Sequence, residues 1–228
     1  MGETTVVLVD DHLSFAESLG AAIDSQKDLR CVGVASNLEQ GLQVVKENAP
    51  DVVLMDVHLP DGDGIEGTGR VKQCSPNSRV VILTAHTDVE MMARAAAQGA
   101  CGFLPKESPV AEILSAIRTA GEGGMMINHS TLKAVLARVE SARPENREVV
   151  VPLTTREIQI LSLMAEGLDP RAISRSLSIS LHTARTHVKN VLSKLEVHSQ
   201  LEAVVAAMRR GLIAAPQLLT DTRKSEIT

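Results

Sequence analysis

Five side chains in this sequence have the types and placing to do chemistry together: the adjacent pair Asp10-Asp11, then Asp56, Thr84 and Lys106. Each stands just past a short apolar run: Thr5 to Val9, Val52 to Met55, Val80 to Leu83, and Gly102 to Leu104. If those runs are parallel strands, their carboxyl ends share one edge, which is where open α/β sheets bind ligands. Three carboxylates converging there repel one another. A hard divalent cation relieves the repulsion, and a small, mostly hydrated Mg²⁺ suits a site made of few carboxylates. Asp56 can then attack a phosphoryl group as a carboxylate nucleophile. The metal and Lys106 would neutralise the phosphoryl oxygens, and the Thr84 hydroxyl would donate to one of them. Taken singly, these residues are ordinary turn formers, caps and a surface lysine; the full set at matching strand ends fits that description poorly.

The elements that must position them alternate strand and helix. Val52 to Met55 are four apolar residues in a row, as in a strand buried on both faces. Pro60, Asp61, Gly62 and Asp63 then predict that the chain leaves the sheet through an irregular loop. Leu13, Ala16, Leu19 and Ile23 recur at helical spacing after the first strand. Cys31 to Ala35 reads as a second strand, before a helix carrying Leu38, Leu42 and Val45. Further helices are expected from about Ile65 to Cys74, from about Val89 to Gln98, and through Val110, Ile113, Leu114 and Ile117. Five β/α units imply an α/β domain, a (βα)5 doubly wound parallel sheet with helices on both faces.

Composition adds a division. The chain has 228 residues, 44% of them hydrophobic, enough for one large or two small domains with real cores. Its formal charge of -5 conceals an asymmetry: residues 1–126 hold 9 Lys+Arg against 18 Asp+Glu, whereas residues 150–213 hold 8 against 5. An acidic half followed by a basic half predicts two domains with different partners, nucleic acid for the second. Cys31, Cys74 and Cys101 are odd in number and lack metal-ligand spacing, which suits a reducing compartment. No apolar run approaches membrane-spanning length, and the first residues lack a signal-peptide pattern; a soluble, cytoplasmic protein is expected. Phe15 and Phe103 are the only aromatic rings other than histidine, which argues against readers that stack single-stranded bases.

The motifs Val-Asp-Asp-His at 9–12, Leu-Met-Asp-Val-His-Leu-Pro-Asp-Gly-Asp-Gly at 54–64, Leu-Thr-Ala at 83–85 and Gly-Phe-Leu-Pro-Lys at 102–106 resemble the receiver domain of bacterial two-component response regulators. The resemblance covers about residues 4–122. It implies that Asp56 is the phosphoacceptor and takes its phosphate from a sensor histidine kinase. It also implies that Asp11, Asp56 and the backbone carbonyl of His58 bind Mg²⁺ directly, with Asp10 acting through water. Phe103 matches the family's switch aromatic, which turns inward when the Thr84 position meets the phosphoryl group, although an apolar ring in a short strand needs no special reason. Pro105 departs from the pattern by standing before the lysine instead of after it. His12, His58 and His86 lie near the same edge; without fixed spacing they read as polar loop residues and not as a transition-metal site. Met91, Met92, Met125 and Met126 read as core filler.

Between the halves, Gly121, Gly123 and Gly124 break the fifth helix. Leu132, Val135, Leu136 and Val139 mark a linker helix from Ser130 to Ala142, and the polar stretch Arg143 to Glu148 follows. Thereafter everything reads as helix. Thr154 or Thr155 can cap the first helix, with Glu157 placed to complete a capping box for Thr154; Asp169 caps with Pro170 at the first helical position, and Ser180 caps a third helix running to about Lys194. That third helix should turn Ala184, Val188, Val191, Leu192 and Leu195 inward and project Arg185, Thr186, Lys189 and Asn190. This arrangement matches a helix-turn-helix whose second helix enters the major groove.

Residues 153–213 resemble the output domain of the LuxR/NarL class, through Leu-Thr-Thr-Arg-Glu at 153–157, Ala-Glu-Gly-Leu at 165–168, Ala-Ile-Ser at 172–174, Ile-Ser-Leu-His-Thr-Ala-Arg-Thr-His-Val-Lys at 179–189 and Lys-Leu-Glu-Val at 194–197. The resemblance implies DNA contacts from Thr183, Arg185, Thr186, Lys189 and Asn190. It implies a homodimer through a fourth helix, about Leu201 to Arg210, with Leu201, Val204, Val205 and Met208 at the contact. Ala184, Glu196 and Gln200 depart from the usual residues. The expected division is a receiver at 1–126, a linker helix and linker at 127–149, a helix-turn-helix domain at 150–213 and a frayed tail at 214–228.

The reading is a phosphorylation-controlled DNA-binding regulator of transcription, not an enzyme. The alternatives are a receiver that signals without phosphate, a small-cofactor flavodoxin-like protein, and an aspartyl-phosphate phosphatase. Phosphatases of the haloacid dehalogenase type carry Asp-x-Asp on the first strand, where this chain has adjacent Asp10-Asp11.

Overall fold

Runs of β-branched residues without alternation have no face to show to water, so they belong in the middle of a sheet. The computed structural model describes residues 3–85, 88–126, 132, 134–135 and 152–213, and its first half runs β1 (Thr4–Val9), α1 (Leu13–Asp24), β2 (Leu29–Ala35), α2 (Leu38–Asn48) and β3 (Val52–Asp56). Next come the two short strands β4 (His58–Leu59) and β5 (Gly62–Asp63), then α3 (Gly64–Cys74), β6 (Arg79–Thr84), α4 (Val89–Ala97), β7 (Ala100–Pro105) and α5 (Val110–Gly121). The five long strands are parallel, in the order β2-β1-β3-β6-β7. Every residue of the central β3 is buried. One apolar layer packs α1 and α5 against the sheet and the other packs α2, α3 and α4, as crossovers of one hand require.

The second half holds α6 (Thr155–Ala165), α7 (Pro170–Ser176), α8 (Leu181–Leu195) and α9 (Gln200–Arg209). The expected caps form: Thr154 and Glu157 make the reciprocal capping box, and Asp169 and Ser180 accept from Ala172 N and Thr183 N. Ala184, Val188, Val191 and Leu195 are buried, while Leu192 is half-buried.

Two expectations change. The loop after Asp56 is not irregular throughout, because β4 and β5 pair antiparallel with His58 opposite Asp63; two-residue strands are too short to leave a periodic signal. β2 and β7 are also longer than their apolar runs, beginning at Leu29 and Ala100. Of the linker helix, Leu132, Ala134 and Val135 are helical, and Leu132 and Val135 are buried. Its remainder, the polar linker, His86 and the tail at 214–228 lie outside the described residues.

The apolar layer on the α4 side does not stop at the sheet. It continues through α4 and β7 into α9 and the cores of α6 and α8. A helix on the surface of a small bundle buries one stripe. α9 buries Leu201, Ala203, Val204, Val205 and Ala207, more than half its circumference, because its own domain covers one side and the receiver half covers the other.

Candidate functional site

Parallel strands deliver the predicted residues to one edge. Asp10 follows β1, Asp56 and Thr84 end β3 and β6, and Lys106 follows β7. Asp10, Asp56 and Thr84 are almost fully buried, at 1%, 3% and 2% exposure. The Lys106 Nζ lies 2.7 Å from Asp56 Oδ2 and 2.8 Å from Asp10 Oδ2. Only the Asp56 contact is in line as a hydrogen bond, so Asp10 Oδ2 is buried with a charge partner but no donor. Lys106 also stands 5.9 Å from the centre of the Phe15 ring, within cation–π range.

The electrostatics follow from this packing. Burial pushes the Asp56 carboxyl above its ordinary pKa, the Lys106 ammonium pulls it down, and the Asp10 charge pushes it up again. For Lys106, burial works against the ammonium, yet the Asp10 and Asp56 carboxylates outweigh it and hold the pKa above the ordinary lysine value. The site therefore concentrates negative charge that one lysine only partly balances.

Ligand atoms of Asp10, Asp11, His12 and Asp56 all lie within 4.8 Å of one another. Three hard carboxylate groups, with a buried Asp10 oxygen among them that accepts no hydrogen bond, fit a divalent cation of the Mg²⁺ type. His12, which reads as a loop residue in the sequence, brings its Nδ1 within 2.7 Å of Asp11 Oδ1 and 3.3 Å of Asp10 Oδ1. His58 opens the short hairpin, and its backbone N–H donates to Asp56 Oδ1 at 3.3 Å.

The loop under the site is held tightly. A Cβ at Gly64 would stand 1.8 Å from the Asp56 carbonyl oxygen, so no side chain fits there. Asp61 accepts from the N–H groups of Leu38 and Glu39, and Asp63 caps α3 through Ile65 N. Phe103 is buried, and β7 places it opposite Ile82, two residues before Thr84 on the adjacent strand.

In the second half, Thr183, Thr186, Lys189 and Asn190 are exposed along α8, and Arg185 is half-buried. Thr183 and Thr186 bond locally, to Ser180 Oγ and the His182 carbonyl. Arg185 and Lys189 do not face open solvent alone: with Arg79 and Glu122 of the first half they line a cleft of about 460 Å³. Of the residues expected at a dimer contact, Leu201, Val204 and Val205 are buried within this one chain and Met208 is half-buried. Gln200, a departure from the usual residue, is 1% exposed and donates to the Gly123 carbonyl. Ser199 caps α9 and also donates to the Ala100 carbonyl at 2.9 Å. Sequence reasoning missed Phe15 and Glu122, which carry no local signal, and Ser199, whose spacing to Glu202 marks a helix cap but not its bond to Ala100; Gln200 was marked, by its departure.

Comparison with known proteins agrees with this geometry. Residues 6–118 match the family model of the response regulator receiver domain, and residues 151–207 match that of bacterial regulatory proteins of the luxR family. The transcriptional regulatory protein LiaR of Bacillus subtilis is 35% identical over 91% of this chain and 98% of its own length. The nitrate/nitrite response regulator protein NarL of Escherichia coli K12 is 32% identical over 88% of this chain and 93% of its own. The crystal structure of a LuxR-family two-component response regulator from Aurantimonas superposes with a TM-score of 0.55, at 27% identity, covering 60% of this chain and 98% of that one. With its buried acid pocket on a five-stranded parallel sheet and its capped helix-turn-helix, this chain belongs to the family of two-component response regulators of the NarL/LuxR class, transcription regulators with a receiver and a LuxR-type DNA-binding domain.

Proposed function

We propose that Asp56 is the phosphoacceptor of this response regulator, charged by a sensor histidine kinase in the cytoplasm, and that phosphorylation releases a dimer that binds double-stranded DNA. The observation that carries the reading is the Lys106 ammonium spanning Asp56 and Asp10 beside an acid cluster. Asp10, Asp11 and Asp56 would hold Mg²⁺, with the His58 carbonyl completing the set. The cation would supply charge neutralisation at the phosphoryl oxygens.

The steps belong to the chain's own groups. An oxygen of the Asp56 carboxylate forms the new bond to phosphorus as the bond from phosphorus to the donor's imidazole nitrogen breaks. Lys106 already sits at that oxygen's neighbour and neutralises the charge brought in. The Thr84 hydroxyl, two percent exposed at the end of β6, donates to a phosphoryl oxygen, and movement there reaches Phe103 on the adjacent β7.

β7 and α4 are also the elements on which α9 packs. A shift of Thr84 and Phe103 therefore bears on the surface that α9 covers. Released, α9 would pair two chains through Leu201, Val204, Val205 and Met208. Thr183, Arg185, Thr186, Lys189 and Asn190 would then read two half-sites roughly 34 Å apart. Incubation with acetyl phosphate and Mg²⁺ should add one acid-stable, base-labile phosphate, and Asp56→Asn should abolish it; undiminished labelling of that variant would end the assignment.

A further inference from the structure

Glu122 stands one residue past α5, and its carboxylate faces the second half of the chain. Its Oε1 meets Arg171 Nη2 at 2.8 Å, and its Oε2 lies 3.5 Å from Arg185 Nη2. Arg171 lies in the first turn of α7 and Arg185 in α8, so one carboxylate joins both helices of the helix-turn-helix. Among the described residues, Glu122 is also the only carboxylate lining the cleft that Arg79, Arg185 and Lys189 make basic.

We propose that Glu122 acts as an intramolecular stand-in for a DNA phosphate, competing with DNA for Arg171 and Arg185 and clasping the two halves together until DNA or salt displaces it. The proposal rests on the reading that α8 enters the major groove, which in a helix-turn-helix lays the preceding helix, here α7 with Arg171, across the DNA backbone. A carboxylate and a phosphate present guanidinium groups with the same pair of acceptor oxygens. An arginine whose charge is spent on Glu122 releases no counterion from DNA, so the two contacts exclude each other.

Magnitude limits the clasp to a bias. The side chains of Glu122, Arg171 and Arg185 are 38%, 51% and 40% exposed, and pairs that wet are weak and screened by salt. Two of them together favour the closed form by roughly three- to tenfold. The apolar seat of α9 on α4 and β7 supplies the rest, and it is indifferent to salt. The clasp is therefore the part of the closure that nucleic acid can contest directly.

The test uses the full chain without phosphodonor and a fluorescently labelled mixed-sequence DNA duplex at low salt. Glu122→Gln should tighten duplex binding roughly three- to tenfold, with the gain shrinking as salt rises and vanishing once beryllofluoride has opened the protein. Glu112→Gln removes the same charge from the exposed start of α5 and should leave binding unchanged. Arg185→Ala should weaken binding once beryllofluoride has opened the protein, where the clasp no longer competes. Wild-type affinity in Glu122→Gln, or an equal gain in Glu112→Gln, overturns the clasp while Arg185→Ala still upholds the DNA reading. Wild-type affinity of Arg185→Ala under beryllofluoride overturns the DNA reading and the clasp with it.

Discussion

The Lys106 ammonium lies 2.7 Å from one oxygen of Asp56 and 2.8 Å from one of Asp10, so a single ammonium faces two buried carboxyl groups. Burial raises the pKa of Asp56 and Lys106 lowers it. Removing the lysine leaves burial and the Asp10 charge, both of which raise it. Lys106→Ala should move the Asp56 titration to higher pH, read by carboxyl NMR in metal-free protein. Labelling by acetyl phosphate should slow roughly hundred- to thousandfold, as when one donor to a developing anion is lost. An unmoved titration with a wild-type rate would deny Lys106 this part.

The recognition helix makes two separable predictions. If Arg185 reads a guanine, Arg185→Ala should cost about 1–3 kcal/mol at the specific site and relax preference at one base position. If Lys189 meets only phosphate, its loss should weaken all sequences alike and reduce the salt slope by about one. Full affinity of Arg185→Ala for specific DNA would reject this docking of α8.

Opening and pairing should be linked. α9 is covered within the monomer, so sedimentation of the unphosphorylated chain should show mostly monomer. Beryllofluoride with Mg²⁺ should shift it toward dimer and raise affinity for a duplex with two half-sites. A ligand moves such an equilibrium only by its differential free energy for the two states, so a residual dimer should persist without it. Unchanged mass and affinity under beryllofluoride would break the link.

Glu196 ends α8 in the left-handed region, with φ of 58°. A side chain there is strained and glycine is not. Glu196→Gly should therefore raise the stability of the second domain by about 1 kcal/mol, measured by urea denaturation, without altering DNA affinity. Destabilisation instead would mean that the Glu196 side chain holds something its backbone strain conceals.

Glu157 gives the pH prediction. Burial works to raise its pKa, but the hydrogen bond from Lys194, at 2.7 Å, and those from Thr154 outweigh it, so the folded value is depressed. A depressed carboxyl stabilises above its unfolded pKa and ceases to as pH falls through the folded value. Glu157→Gln should cost about 1 kcal/mol at neutral pH, and its denaturation curve should approach that of the wild type in acid below the ordinary glutamate range. A difference that stays constant across that range would exclude the ionic contribution.

The acid pocket was legible because its residues sit at strand ends, and strand ends are marked by where apolar runs stop. Asp10, Asp56, Thr84 and Lys106 were found that way, and the caps Thr154, Asp169 and Ser180 by equally local rules. The short hairpin of β4 and β5 was not, since two residues cannot show a period. Nor could any pattern in α9 reveal that a second surface covers it: Leu201, Val204 and Val205 look the same whether their partner is another subunit or β7. Glu122, Ser199 and Phe15 act through contacts with residues distant in the chain, and only the folded arrangement names those partners.

The two-sided cover of α9 has a consequence for genetics. If α9 pairs open chains as proposed, a polar substitution at Val204 or Val205 should weaken the closed monomer and that pairing together, so its effect on output has no fixed sign. Changes on the α4 side of the same contact touch only the closed monomer. A screen for variants active without their signal should therefore collect hits in α4 and β7 and pass over α9 itself, although α9 is the helix that the proposed release would move.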